Sequence, residues 1–179
     1  MYSQVQFGSQ QVVSSAWAAF SQKLSLMLDG LAEGDDLILN ENCSVQFVQF
    51  HARGDGSKVI SSETTSNFHR SEYKQLCNEQ IAQLIALGWR PPNVHPGNWA
   101  VTDEPYYPTV AVTCGPFYSA SFFAIFPLPL NCKSLADMAV RTFAQVLRVE
   151  SPRHSLYDAY DWDGKRFSLP QLGLKRFKY

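Results

Sequence analysis

Val13, Trp17, Phe20, Leu24, Leu28 and Leu31 recur at steps of three and four residues. That spacing places one apolar side chain per turn on a common stripe, so residues 12–32 are predicted to form an amphipathic helix ended by Gly34. Three short runs rich in Val, Ile, Phe or Thr follow at residues 36–40, 44–52 and 58–66, separated by turn residues, and they are predicted strands. Gly54-Asp55-Gly56 joins the second to the third as a tight turn, which makes an antiparallel hairpin the simplest connection. The segment LCNEQIAQLIALGWRPP then spells out both ends of a second helix. Cys77 stands at the cap with Gln80 three residues later, and Leu76 can close over Ile81. Gly88 supplies a left-handed stop, Trp89 can fold back onto Leu84, and Pro91-Pro92 forbid continuation.

Residues 93–108 are rich in Pro, Gly and Asn and are expected to form an ordered surface loop. A second hairpin is predicted from 109–113 and 117–126 around Cys114-Gly115-Pro116. Ser134, with Asp137 three positions on, is predicted to open a third helix, and Leu135, Ala139, Phe143, Val146 and Leu147 carry its period to Val149. Residues 156–162 and 166–169 flank Asp163-Gly164 as a C-terminal hairpin. The order α-β-β-β-α-β-β-α plus this hairpin describes an α+β fold with three helices and a mainly antiparallel sheet, as one domain over residues 1–179.

Strand parity adds a less routine expectation. Phe117, Phe123 and Ile125 oppose Tyr118, Phe122 and Phe126, and Val45 and Phe47 oppose Val48 and Phe50, so both sheet faces carry apolar side chains. Either the helices divide between the two faces, or they cover one and leave the other for a second molecule.

Composition narrows the functional classes. At 179 residues with 45% hydrophobic and only 17% charged side chains, the chain has enough apolar material for a core and an interface. A net charge of -1 gives no field to gather phosphate or anionic lipid, so nucleic acid and membrane are excluded as expected partners. Phe122 to Leu130, the longest greasy run, is short and carries Pro127 and Pro129, and the N-terminal stretch lacks the features of a signal peptide. Cytoplasmic residence is expected. Cys43, Cys77, Cys114 and Cys132 are scattered, without the close pairs of zinc or redox motifs, and read as buried free thiols.

No set of residues reads as catalytic or metal-ligating, and no cofactor is implied. His51, His69, His95 and His154 are dispersed with no nucleophile elbow beside them. Asp158, Asp161 and Asp163 before Gly164 have the wrong spacing for a calcium loop and fit a hairpin turn, and Arg53-Gly54-Asp55 is a turn by context. The candidates for contact with a partner are of another kind. Trp89 and Asn98-Trp99 bracket a Pro-rich loop and either offer a flat anchor for a peptide or plug the core. Gln49 and Asn67 either hydrogen-bond an added strand or satisfy neighbouring turns. Phe47, Phe122 and Phe126 are strand aromatics available to an interface.

Phe47-Val48-Gln49-Phe50, Ser66-Asn67, Leu84 through Ala86-Leu87-Gly88-Trp89, Pro91-Pro92, Asn98-Trp99 and Ala139-Val140-Arg141-Thr142 occur in an order that resembles the bacterial TY-Chap domains. That grouping takes in YbjN-like proteins and type III secretion chaperones of the CesT kind, and the likeness is closest to its actinobacterial members. It extends to the tail Leu169-Pro170-Gln171-Leu172-Gly173-Leu174. The resemblance implies a non-enzymatic, chaperone-like fold that holds a peptide or protein client in extended form, with homodimers common among the secretion chaperones. Cys77 departs from the Ser or Thr usual at that cap, a poorer acceptor that weakens the helix start by about 1 kcal/mol. A chaperone of secretion or assembly is therefore the leading expectation. An immunity protein that blocks one folded toxin through a rigid polar surface, or an unrecognised hydrolase assembled by folding, are the alternatives.

Overall fold

The computed structural model describes residues 13–41, 46–52, 59–67, 75–92, 121–127 and 131–178. Three helices, α1 (Ser15–Asp29), α2 (Asn78–Leu87) and α3 (Cys132–Arg141), accompany a six-stranded sheet. Its strands are β1 (Asp36–Glu41), β2 (Phe47–Ala52), β3 (Val59–Thr64), β4 (Phe122–Pro127), β5 (Ser155–Tyr160) and β6 (Lys175–Arg176). They lie in the order β4-β3-β2-β1-β5-β6, antiparallel except for the parallel β5–β6 pair. This is the expected α+β arrangement. The glycine-rich turn between β2 and β3 and residues 109–120 of the second hairpin lie outside the described residues.

Register sorts the side chains cleanly. One face presents Leu37 and Leu39, Val48, Phe50 and Ala52, Ile60, Phe122 and Ala124, and Tyr157 and Ala159, which align across neighbouring strands. All of them belong to one buried cluster that also takes in Trp17, Phe20, Leu24 and Leu28 of α1, Leu84 of α2, and Leu135 and Ala139 of α3. All three described helices therefore pack on the same face, at about 1.5–3 kcal/mol per large apolar side chain removed from water. Ser62 and Thr64 also point into this layer, and their hydroxyls donate to the carbonyls of Gln49 (2.9 Å) and Phe47 (2.7 Å) on β2. Burial of these polar groups is thus compensated within the sheet.

Several boundaries move for identifiable reasons. Ser14 caps α1, and the helix stops at Asp29 with Gly30 rather than running on to Gly34. Gly34, at φ +88°, belongs to the turn into β1, where its N–H bonds the Ala52 carbonyl at 2.6 Å and the Trp162 ring leaves no room for a Cβ. α2 starts and stops as expected: the Cys77 N–H donates to Gln80 Oε1 (3.0 Å). At its end Gly88 is left-handed at φ +105°, while Gly88 and Trp89 N–H groups return to Ile85 (3.0 Å) and Leu84 (3.1 Å).

α3 is capped by Asn131, whose side chain accepts from the Ser134 N–H at 3.0 Å, so Ser134 is not the cap. Asp137 instead accepts from Ser21 of α1 at 2.5 Å. Beyond Arg141 the helix widens into a π-helical turn, Thr142–Val146, in which Leu147 N–H reaches back five residues to Thr142 (2.9 Å). Arg148 then adopts φ +59°, and Val149 N–H closes on the Phe143 carbonyl at 2.9 Å. The widened turn lets Phe143 stack on Trp17 (centroids 6.0 Å apart, 13° between planes) while Thr142 faces Trp89. Of the expected C-terminal hairpin, the turn and β5 form, but its second arm makes only the Tyr160–Arg166 bridge, and β6 takes the edge beyond Leu156 and Tyr157.

Candidate functional site

The other sheet face carries the candidate side chains Phe47 and Gln49. One row crosses Ile125, Ser61, His51, Asp36 and Tyr160, the next Phe123, Glu63, Gln49, Ile38 and Asp158, and a third Phe47, Asn40 and Leu156. No described helix packs here. Val59 and Phe123 are buried at the β3–β4 end, whereas Ile38, Phe47, Ile125 and Leu156 are only half-buried and lie outside the helix-side cluster. The face is therefore mixed, with apolar footholds spaced among polar groups, rather than uniformly greasy.

Its polar groups are tied together. Asp36 Oδ1 lies 2.9 Å from His51 Nδ1 and accepts from Gln49 Nε2 at 3.4 Å. The His51–Asp36 pair is 15 positions apart in sequence, and the register of β1 on β2 makes the contact. Sequence spacing gives no sign of it. Ser61 faces His51 across β3, but its hydroxyl donates to the His51 carbonyl (3.5 Å) and not to the imidazole, so no nucleophile–base pair exists there. Asp158, 2% exposed, bonds Arg166 and Tyr160, and Arg166 lies 5.6 Å over the Tyr160 ring. The hydrogen bond to Asp158 is the main reason the Arg166 guanidinium is held more firmly protonated than usual. Asp161 serves the turn by accepting from the Asp163 and Lys165 N–H groups (3.1 and 2.8 Å). Among the described residues no three of His, Cys, Asp and Glu converge as a metal site. Burial, and then nearby Asp29, push the Cys132 thiol up, which makes it a poor nucleophile.

The structure separates the eight sequence candidates. Phe47 and Gln49 sit on the face opposite the described helices. Phe122, 4% exposed, and the partly buried Phe126 point to the helix side and pack in the core. Trp89 is 1% exposed, and its indole N–H donates to Thr142 Oγ1 at 2.8 Å, so for this residue the core reading holds. Asn67 clamps the chain before α2, accepting from the Leu76 N–H (2.5 Å) and donating to its carbonyl (3.1 Å). Asn98 and Trp99 lie outside the described residues. Sequence reasoning passed over Trp162, assigned only to a strand, which stands 71% exposed in the turn after β5 against Gly34. An indole between Asp161 and Asp163-Gly164, where turn residues are polar, was the available signal.

A family model described as "T3SS (YopN, CesT) and YbjN peptide-binding chaperone 3" matches residues 10–160, which takes in α1 to α3 and β1 to β5. No curated protein and no solved structure matches this chain.

Proposed function

The chain belongs to the TY-Chap3 family of peptide-binding chaperones, and from that premise we propose that the sheet face opposite its described helices holds an extended client segment without catalysing a reaction. The observation that supports this reading is the asymmetry of the sheet: three helices share one face, while half-buried Ile38, Phe47, Ile125 and Leu156 stay outside their cluster on the other. These footholds lie one each on β1, β2, β4 and β5, so an extended chain laid across the strands, which sends alternate side chains to one side, meets them in succession. Gln49 and Asn40, interleaved among them, suit its peptide groups. Trp162 at the β5 end provides an exposed aromatic anchor, and the client is a protein destined for secretion or complex assembly in the cytoplasm.

The test is a selection from a phage-displayed library of random unstructured peptides. Recovered peptides bind the wild-type chain and lose at least about tenfold in affinity to F47S/I125S. Equal binding by that variant, with its fold intact by circular dichroism, contradicts the reading. Failure to select any peptide, together with tight capture of a single folded protein, favours the immunity-protein alternative, for which the tied polar lattice of Asp36, His51 and Gln49 is the rigid surface.

A further inference from the structure

Away from the sheet face, α1, the short turn Pro152–His154 and the tail meet around a cleft of about 220 Å³. Phe20, Pro152 and Leu172 make its walls apolar, and all three are buried. The charged side chains lining it are Lys23 and Arg153, both exposed, and no carboxylate lines it. Among the described residues neither cation forms an ion pair. Gly173 forms part of the wall in a left-handed conformation at φ +71°, where a Cβ would come 3.2 Å from Lys23 Nζ, so the ammonium group is drawn in against the tail's backbone. Lys175, Arg176 and Lys178 follow immediately, all exposed. In a chain of net charge -1 this is a strongly uneven concentration of positive charge. The walls from Leu172 to Leu174 also lie beyond the residues matched by the family model.

We propose that this cleft is a second binding site, for a carboxylate carried on a compact apolar group. The volume is less than the roughly 300 Å³ at which drug-sized pockets begin, so it takes one branched or aromatic group. Two cations beside an apolar wall with no competing carboxylate select a single negative charge attached to that group. A peptide ending in an apolar residue with a free C-terminal carboxylate has this chemistry, and so does a free branched-chain acid. The cleft walls are helix and short turn tied to the core, so the site is preformed. Binding through exposed cations is weak, on the order of millimolar.

Nitrogen–proton correlation spectra of the full chain test it, titrated with acetyl-Ala-Ala-Leu bearing a free C-terminus, with its C-terminal amide, and with 4-methylpentanoate. The free-acid peptide is expected to shift the Gly173 and Leu174 amides, and the amide form to bind about tenfold more weakly. K23Q/R153Q, two exposed positions whose change leaves the fold intact, is expected to lose about as much, while I85S, at an exposed position of α2 away from the cleft, binds as wild type. Equal binding of 4-methylpentanoate and the peptide identifies a small acid as the source of the chemistry, and a requirement for the peptide identifies a chain end. Indistinguishable acid and amide, an unaffected K23Q/R153Q, or no shift by either acid at about 10 mM overturns the proposal.

Discussion

At the scale of single residues, the strongest interactions are side chains that satisfy a specific backbone or indole group. Asn67 is the clearest case, because both ends of its carboxamide are used by Leu76. N67A is expected to cost about 1–3 kcal/mol in urea unfolding, since it leaves the buried Leu76 backbone short of partners. Cys77 is the opposite case: an exposed thiol at the cap of α2, where a hydroxyl would accept more strongly. C77S should stabilise the protein by about 1 kcal/mol, and an unchanged midpoint would show that Gln80 alone secures that end. Sequence made the cap and the stop of α2 legible because both are local codes. It left Trp89 and Asn67 open between surface and interior, since burial depends on what Thr142 and Leu76 bring from elsewhere in the chain.

Elements show where local periodicity ceases to suffice. The apolar spacing from Leu135 to Val149 reads as one continuous helix, yet α3 ends at Arg141 and the chain widens into a π-helical turn. Local and tertiary contacts combine there: Thr142 Oγ1 donates back to the Met138 carbonyl of its own helix at 2.9 Å and accepts from Trp89, while Phe143 stacks on Trp17, whose indole N–H reaches the Val149 carbonyl at 3.2 Å. T142V keeps the shape and strands the Trp89 N–H, so a loss of about 1–3 kcal/mol is expected. Arg148 ends the turn at φ +59°, a conformation that costs a side-chain-bearing residue roughly 1–2 kcal/mol. R148G is therefore expected to raise the free energy of unfolding in urea by up to about 1 kcal/mol once the freer unfolded chain is counted. Strand order within the sheet shares the limit. Hairpins such as β2–β3 are readable from local pattern, whereas β1 between β2 and β5, and the parallel β6, arise from long-range pairing.

For the whole molecule, the organising fact is that all the described helices, α1, α2 and α3, pack on one face, while the other carries spaced apolar and polar groups. Residue parity alone indicates that β2 and β4 are apolar on both sides. It could not say which side the helices choose, because that choice rests on the packing of Trp17, Leu24 and Leu135 over Phe50 and Leu39. The same footholds suit a second copy of this chain, so a homodimer through this face is expected to dissociate in F47S/I125S, as measured by light scattering. A wild-type particle that stays monomeric at high concentration would reserve the face for clients. The most direct test places a photo-crosslinking amino acid at Gln49, on the face opposite the described helices, or at Leu26, which is 69% exposed on the outer side of α1. With a library-selected peptide, the account predicts a covalent adduct from position 49 and none from position 26. An adduct at 26 alone would contradict it.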